Sequence, residues 1–289
     1  MSDKMAYLII AHKDDETFRT LCTMLDDERN DLFIHMDQKN KSYDETVLNG
    51  LLKKSKVYHC RRNSVSWGGY SQIETELCLL KQATQAGHYC HYHLLSGEDL
   101  PIKNNDTIYR FFISHAGEEF VNLMSDRFEY FDRVCYRYRF QDRIGRDKNL
   151  YSYLQQADLM LQKTLHLTVN RNVNFQKGAN WFSITDDFAR YILNREDWIR
   201  EVFRHTLCAD EIFLQTILCN SEYKDHLYYK QADDNYCSIM REIDWNRGGP
   251  YVFRTEDLRQ LLDSDKMFAR KFQADVDSNI IRLLKDTVN

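Results

Sequence analysis

Three groups of residues in this 289-residue chain carry side chains of the types that perform chemistry. Asp210-Glu211 precedes the apolar helical run IFLQTIL. A carboxylate at a helix start lies at the positive end of the dipole, which lowers its pKa and favours the basic form. Glu211 is therefore a candidate general base with Asp210 beside it, and helix capping is the alternative role for such a pair. His12, Asp14 and Asp15 stand in the string AHKDDE. Together with His88 and His91 they could hold a metal ion for assisted hydrolysis; alternatively, the acids only favour the start of the next helix. Cations cluster towards the C-terminus: Arg247, Arg254, and Arg270-Lys271 inside MFARKF. Flanking aromatics can fix such side chains beside a pocket, and clustered cations bind phosphate well. Asp37 is a lone carboxylate, whereas a divalent ion takes two or more oxygen ligands, so it suits a nucleoside better than a metal.

These residues need a scaffold. Ala6–Ala11 reads as a buried strand, residues 15–29 as a helix, Leu32–Met36 as a second strand and 43–54 as helical. Val57–Cys60 reads as a third strand. Residues 71–86 read as a helix capped by Ser71, with Glu74 three positions on as in a capping box. His91–Leu95 is a fourth strand. Alternating strands and helices predict parallel strands with crossover helices. Ligands in such sheets bind outside the carboxyl ends of the strands. Those ends here are His12-Lys13, Asp37-Gln38-Lys39, the Trp67-Gly68-Gly69 loop and Ser96-Gly97-Glu98-Asp99, all polar or glycine-rich. Residues 105–175 read as mainly helical, with a basic, aromatic stretch at 127–148 and a helix over 150–169. Further helices are expected at 186–194, from Asp210 onward and after Asp277.

Composition narrows the class. Hydrophobic residues make up 43% and charged residues 29%, as in a globular chain. No run approaches the roughly 18 to 20 apolar residues that span a bilayer. The N-terminus is expected to carry no signal peptide. The net charge of −5 argues against a nucleic-acid binder. Eight cysteines include no CxxC pair, so zinc-ribbon spacing is absent and reduced, mostly buried thiols are expected. We read residues 1–289 as one domain, with a nucleotide-binding half over about 1–115 and an acceptor-binding, catalytic half over about 116–289.

Two resemblances give these patterns meaning. AHKDDE is similar to the AHPDDE signature of zinc-dependent N-acetylglucosamine deacetylases, with Lys13 in place of proline. A longer series resembles the core-2/I-branching β-1,6-N-acetylglucosaminyltransferases and protein xylosyltransferases, glycosyltransferase family 14. It comprises YLIIAHK (7–13), IHMDQK (34–39), VSWGGYS (65–71), LLSGEDLPIK (94–103), KGANW (177–181), Ala209-Asp210-Glu211, Ile243-Asp244-Trp245 and FARKF (268–272). Eight motifs in one order, from about residue 6 to 273, outweigh one local string.

That resemblance implies a GT-A-like α/β fold, with a mostly parallel twisted central sheet flanked by helices. It implies inverting, metal-independent transfer of a sugar from a UDP-sugar to a glycan hydroxyl, with no cofactor. UDP-GlcNAc is the first expected donor and UDP-xylose the second. Carried over residue by residue, Glu211 is the base, Lys271 touches the donor diphosphate, and Arg247 or Arg254 supplies a second cation. Asp37 lies near the uridine; His12, Trp67, Ser96 and Asp99 line the donor side. Arg133, in the Arg133–Tyr138 pattern, falls on the acceptor side with Asp210, and Trp181 and Trp245 are candidate sugar-stacking faces. The animal enzymes carry a membrane anchor, a stem and disulfides; none is visible in this sequence, so a bacterial-type cytoplasmic member is expected. Its acceptor would be a glycan or a lipid-linked oligosaccharide, with peripheral contact at the inner membrane face. Stretch 127–148 could meet anionic headgroups, but an acceptor-site wall is the preferred reading. A catalytically silent nucleotide-sugar-binding protein is the remaining alternative.

Overall fold

The structure is a computed structural model that describes residues 3–125, 127–232 and 236–288. The first strand, β1 (Met5–Ala11), is buried on both faces. Strand side chains alternate, so Met5, Tyr7 and Ile9 join one apolar cluster while Ala6 and Leu8 join another. A strand covered on both sides reads as a continuous apolar run, the signal that betrayed it.

The chain continues through α1 (Glu16–Met24), β2 (Asn30–Met36), α2 (Thr46–Leu51), β3 (Lys56–His59), α3 (Ser71–Ala86) and β4 (His91–Ser96). Next come β5 (Asp99–Pro101), α4 (Asn105–Ser114), β6 (Phe120–Val121), α5 (Phe131–Cys135), α6 (Gln141–Ile144) and α7 (Leu150–Thr164). The remainder is β7 (Phe182–Ile184), α8 (Asp186–Leu193), α9 (Glu196–Phe203), α10 (Phe213–Cys219), β8 (Arg241–Ile243), α11 (Leu258–Asp263), β9 (Phe268–Arg270) and α12 (Ala274–Val288).

The main sheet has six strands in the order β3-β2-β1-β4-β7-β6. The first four are parallel, while β7 runs antiparallel to both β4 and β6. The sheet is thus mixed, with a mostly parallel centre, and helices flank it as expected for an α/β fold. One apolar cluster includes side chains of α3, α8, α9 and α10, and the other includes side chains of α1, α4 and α12.

A second sheet, β5-β9-β8, was not expected. Its strands are three residues long, too short to show a period-2 pattern. It determines where the site forms. Strand β5 follows β4 almost at once, and Asp99 of β5 pairs with Arg270 of β9. The distant MFARKF segment is thereby fixed beside the carboxyl end of β4.

Two caps differ from expectation. Helix α3 has no side-chain cap; the Ser71 hydroxyl instead accepts from the Ser66 N–H and donates to Asp142, tying α3 to the loop ahead of it. The Asp210-Glu211 helix opens late: both residues lie in a 3₁₀ turn, Ala209–Glu211, and α10 begins at Phe213.

Candidate active site

The register β1–β2 and β1–β4 aligns Ala11 with Met36 and Ile10 with Ser96. His12, Asp37 and Ser96 therefore emerge at one edge, the carboxyl ends of three parallel strands. A cavity of about 350 Å³ opens there. His12, Asp37, Trp67 and Ser96 line it, as expected, and so does Trp181. A larger recess of about 680 Å³ shares His12 and Asp37 and continues over Lys13, Lys39 and Asn40. Asp37 is buried, and its carboxylate accepts from the Lys39 and Val65 N–H groups, which hold the two loops together.

Arg270 is one of two arginines that line this cavity. Its guanidinium lies 3.9 Å over the Trp181 ring and its Nε stands 3.6 Å from Asp99. Asp99 is buried behind the wall, where it accepts from the Ser96 N–H and hydroxyl. Burial raises the Asp99 pKa while Arg270 opposes that shift. Asp99 is thus a positioning residue for Arg270 rather than a wall residue. Arg146 also lines the cavity, 5.8 Å over the Trp67 ring.

The expected second cation, Arg247 or Arg254, is not in this cavity. Arg247 is held by Asp244 at 2.6 Å and Asp257 at 2.7 Å, and stacks on Tyr251 at 4.0 Å. Arg254 is exposed in another part of the loop. Lys271 stands 3.9 Å from Glu98, a cavity residue, so it flanks the cleft without lining it. Trp245 is also exposed and outside the cavity lining. Arg270 was expected only as one of the Arg270-Lys271 pair, and strand pairing selects which of the two faces inward; Arg146, in a turn that carries no motif, was missed.

Glu211 lies at the cleft's flank. Cys208, in the left-handed conformation (φ 49), turns the chain into the 3₁₀ turn, after which Asp210 is buried and Glu211 half-exposed. Glu211 is 3.0 Å from Arg133 and 3.3 Å from Lys177, and both cations lie over the Tyr130 ring. Arg133, expected on the acceptor side, therefore holds the candidate base. Lys177 and Tyr130 complete this cluster. Gln72, a cavity residue, donates to Asp210 at 2.9 Å and so links the turn to the cleft wall.

The dipole argument does not describe Asp210. Burial, then the neighbouring Glu211, pushes its pKa up to about 7, and it lies inward rather than towards an acceptor. An acid whose folded pKa is raised binds more protons folded than unfolded, so stability falls as pH rises. The loss begins near the ordinary Asp value and is complete above about 7. Thermal unfolding midpoints are expected to fall between pH 5 and pH 8, and Asp210→Asn should flatten that fall. An unchanged slope in the variant would refute this assignment.

Gly178 places Glu211. Its N–H donates to the Glu211 main-chain carbonyl at 3.0 Å, and a Cβ there would stand 1.8 Å from the Asn122 carbonyl oxygen. Gly178→Ala is expected to lower stability by about 1–3 kcal/mol through overpacking and to cut turnover with it. Denaturant unfolding and turnover assays check both.

The AHKDDE residues do not assemble for zinc. Asp14 makes a two-point ion pair with Arg19, and Asp15 accepts from the Phe18 N–H as the cap of α1. His88 precedes β4 and binds Asp186 at 2.6 Å, at the opposite end of the parallel strands from His12. His91 is buried on β4, where desolvation lowers its pKa to about 4. Among the described residues, no three His, Cys, Asp or Glu side chains form a metal-binding group.

A mixed α/β sheet with a polar, cation-bearing cleft at its carboxyl edge puts the candidate site where open α/β sheets take up their ligands. A family model of the Core-2/I-branching enzymes matches residues 5–262, and the chain belongs to that glycosyltransferase family. Among relatives, xylosyltransferase oxt of Drosophila melanogaster is 23% identical over 273 residues, covering 88% of this chain and 30% of that protein. Xylosyltransferase 2 of Rattus norvegicus is 22% identical over 304 residues, covering 97% of this chain and 33% of that protein. The chain thus spans about a third of the length of these curated relatives. Among solved structures, mouse xyloside xylosyltransferase 1 in its apo form aligns over 92% of this chain and 96% of its own, with 9% identity and a TM-score of 0.38.

Proposed function

We propose that the protein is an inverting, metal-independent glycosyltransferase that moves a sugar from a UDP-sugar to a glycan hydroxyl. GlcNAc is the first candidate sugar and xylose, suggested also by the relatives' names, the second. The observation that carries this reading is Arg270, fixed on Trp181 inside the cleft, together with Glu211, whose turn is tied to the cleft wall through Asp210 and Gln72. The outer recess around His12, Asp37 and Lys39 suits the nucleoside, and the inner cavity suits the diphosphate and sugar.

In this reading a Glu211 carboxylate oxygen takes the proton of the acceptor hydroxyl. The acceptor's hydroxyl oxygen, freed of that proton, bonds to the anomeric carbon from the face opposite UDP as the bond from that carbon to the diphosphate oxygen breaks, and UDP departs. An α-linked donor then gives a β-linked product. Arg270, with Arg146 and Lys271 nearby, stabilises the charge growing on the diphosphate. Fixed charge in a water-poor cleft acts far more strongly than in solvent.

The test is turnover of a UDP-sugar panel with and without EDTA. Persistence in EDTA supports the reading, whereas loss that Mn²⁺ restores would overturn metal independence. No turnover with any donor, alongside tight UDP binding, would instead favour a silent binding protein.

A further inference from the structure

Helix α7 is inverted. Its inward residues are polar: Gln155 and Gln162 are buried. Gln155 accepts from the Phe140 N–H at 3.0 Å and donates to the Arg137 carbonyl at 3.3 Å. Gln162 accepts from the Arg137 N–H at 2.8 Å and donates to the same carbonyl at 3.0 Å. Its outward stripe is apolar. Leu150, Tyr153, Leu154, Ala157, Met160 and Leu161 follow the i, i+3, i+4, i+7 spacing of one helix face, and all are exposed. Leu150 is 71%, Tyr153 67% and Met160 73% exposed, and Leu165 and Leu167 extend the stripe beyond the helix. A globular helix normally does the reverse, and contiguous exposed apolar surface marks an interaction site.

The surrounding charge names the occupant. Residues 127–171 hold nine Lys and Arg against five Asp and Glu; setting aside Arg133, paired with Glu211, and Arg146, which lines the cavity, the segment still carries +2 in a chain whose total is −5. Two copies meeting through this face would bring two positive segments together. An apolar stripe with basic flanks matches an anionic lipid surface, where leucines enter the acyl boundary and cations meet headgroups. We propose that α7 and its basic flanks dock the protein on anionic phospholipid bilayers. Docking itself stands apart from the glycosyl-transfer reading, and only the benefit of presenting a lipid-carried acceptor rests on that reading.

The location gives docking a purpose. The 137–146 segment lies between α7 and the cleft: α7 holds it through Gln155 and Gln162, Gln141 donates to the Trp67 carbonyl at 3.0 Å, and Arg146 lines the cavity. A docked α7 would set one wall of the cleft near the lipid surface, where a lipid-carried acceptor is presented.

The test is co-sedimentation of the full chain with vesicles of phosphatidylcholine alone and of phosphatidylglycerol and phosphatidylcholine in equal parts. Partition at least about tenfold stronger into anionic vesicles is expected, lost at high salt. Leu154→Glu with Leu161→Glu should reduce that partition at least about tenfold. Both side chains are already exposed, so the unfolding midpoint should barely move. The wild-type lipid preference and its salt dependence test the idea even if the double variant misfolds. Equal partition into both vesicle types, or undiminished binding by a folded double variant, would overturn it. So would a dimer in sedimentation that the double variant dissolves, because the face would then belong to a second copy.

Discussion

Glu211→Gln is expected to lower sugar transfer by about 10²- to 10⁴-fold, the usual contribution of a positioned general base. Glutamine keeps the shape and can still face Arg133 and Lys177, but it cannot accept the acceptor's proton. The loss should fall on kcat rather than on donor binding, because Glu211 lies at the cleft's flank and the residues lining the cavity do not include it. Calorimetric titration with UDP should give an unchanged Kd. Retention of more than a tenth of wild-type turnover would remove Glu211 from the base role. An equal loss of UDP affinity would point to a structural function for the Glu211–Arg133–Lys177 cluster instead.

Arg270→Ala has the second large effect. It removes the guanidinium stacked on Trp181 from the wall of the cavity. Loss of one pre-organised charge-stabilising group typically costs about 10²- to 10³-fold in turnover. Here UDP affinity should fall as well, since the diphosphate is charged before and after reaction. Arg270→Lys should rescue little, because an ammonium cannot stack as a planar guanidinium does. Arg247→Ala supplies the contrast. Its partners are Asp244, Asp257 and Tyr251, so its loss should appear in the unfolding midpoint with donor affinity intact. If Arg247→Ala abolished UDP binding and Arg270→Ala did not, the assignment of the two arginines would be reversed.

The parallel centre of the sheet was legible because each buried strand is a short apolar run ending in a polar or glycine residue. Those ends gave His12, Asp37, Trp67 and Ser96 as cleft residues, and the structure brings all four into one cavity. What sequence concealed was set by long-range pairing. Asp99 and Arg270 are 171 positions apart, and only their register across β5 and β9 selects Arg270 for the cavity wall. Lys177 was quoted within a motif, but its approach to Glu211 depends on a loop crossing that has no periodicity. Asp210 was expected on the acceptor side from its motif, and nothing in that motif signals that the carboxyl is buried. The inverted face of α7 was hidden for a related reason: apolar spacing identifies a face but not whether that face is covered.

The small β5-β9-β8 sheet carries an implication for how the molecule is made. The parallel strands that supply His12, Asp37 and Ser96 are complete by residue 96, yet the strand bearing Arg270 emerges only after residue 267. Contacts this far apart form late, after a large closure entropy has been met. A growing polypeptide would therefore carry the residues that line the outer recess long before it carried Arg270. Under the proposed function, donor binding would wait until synthesis is nearly finished.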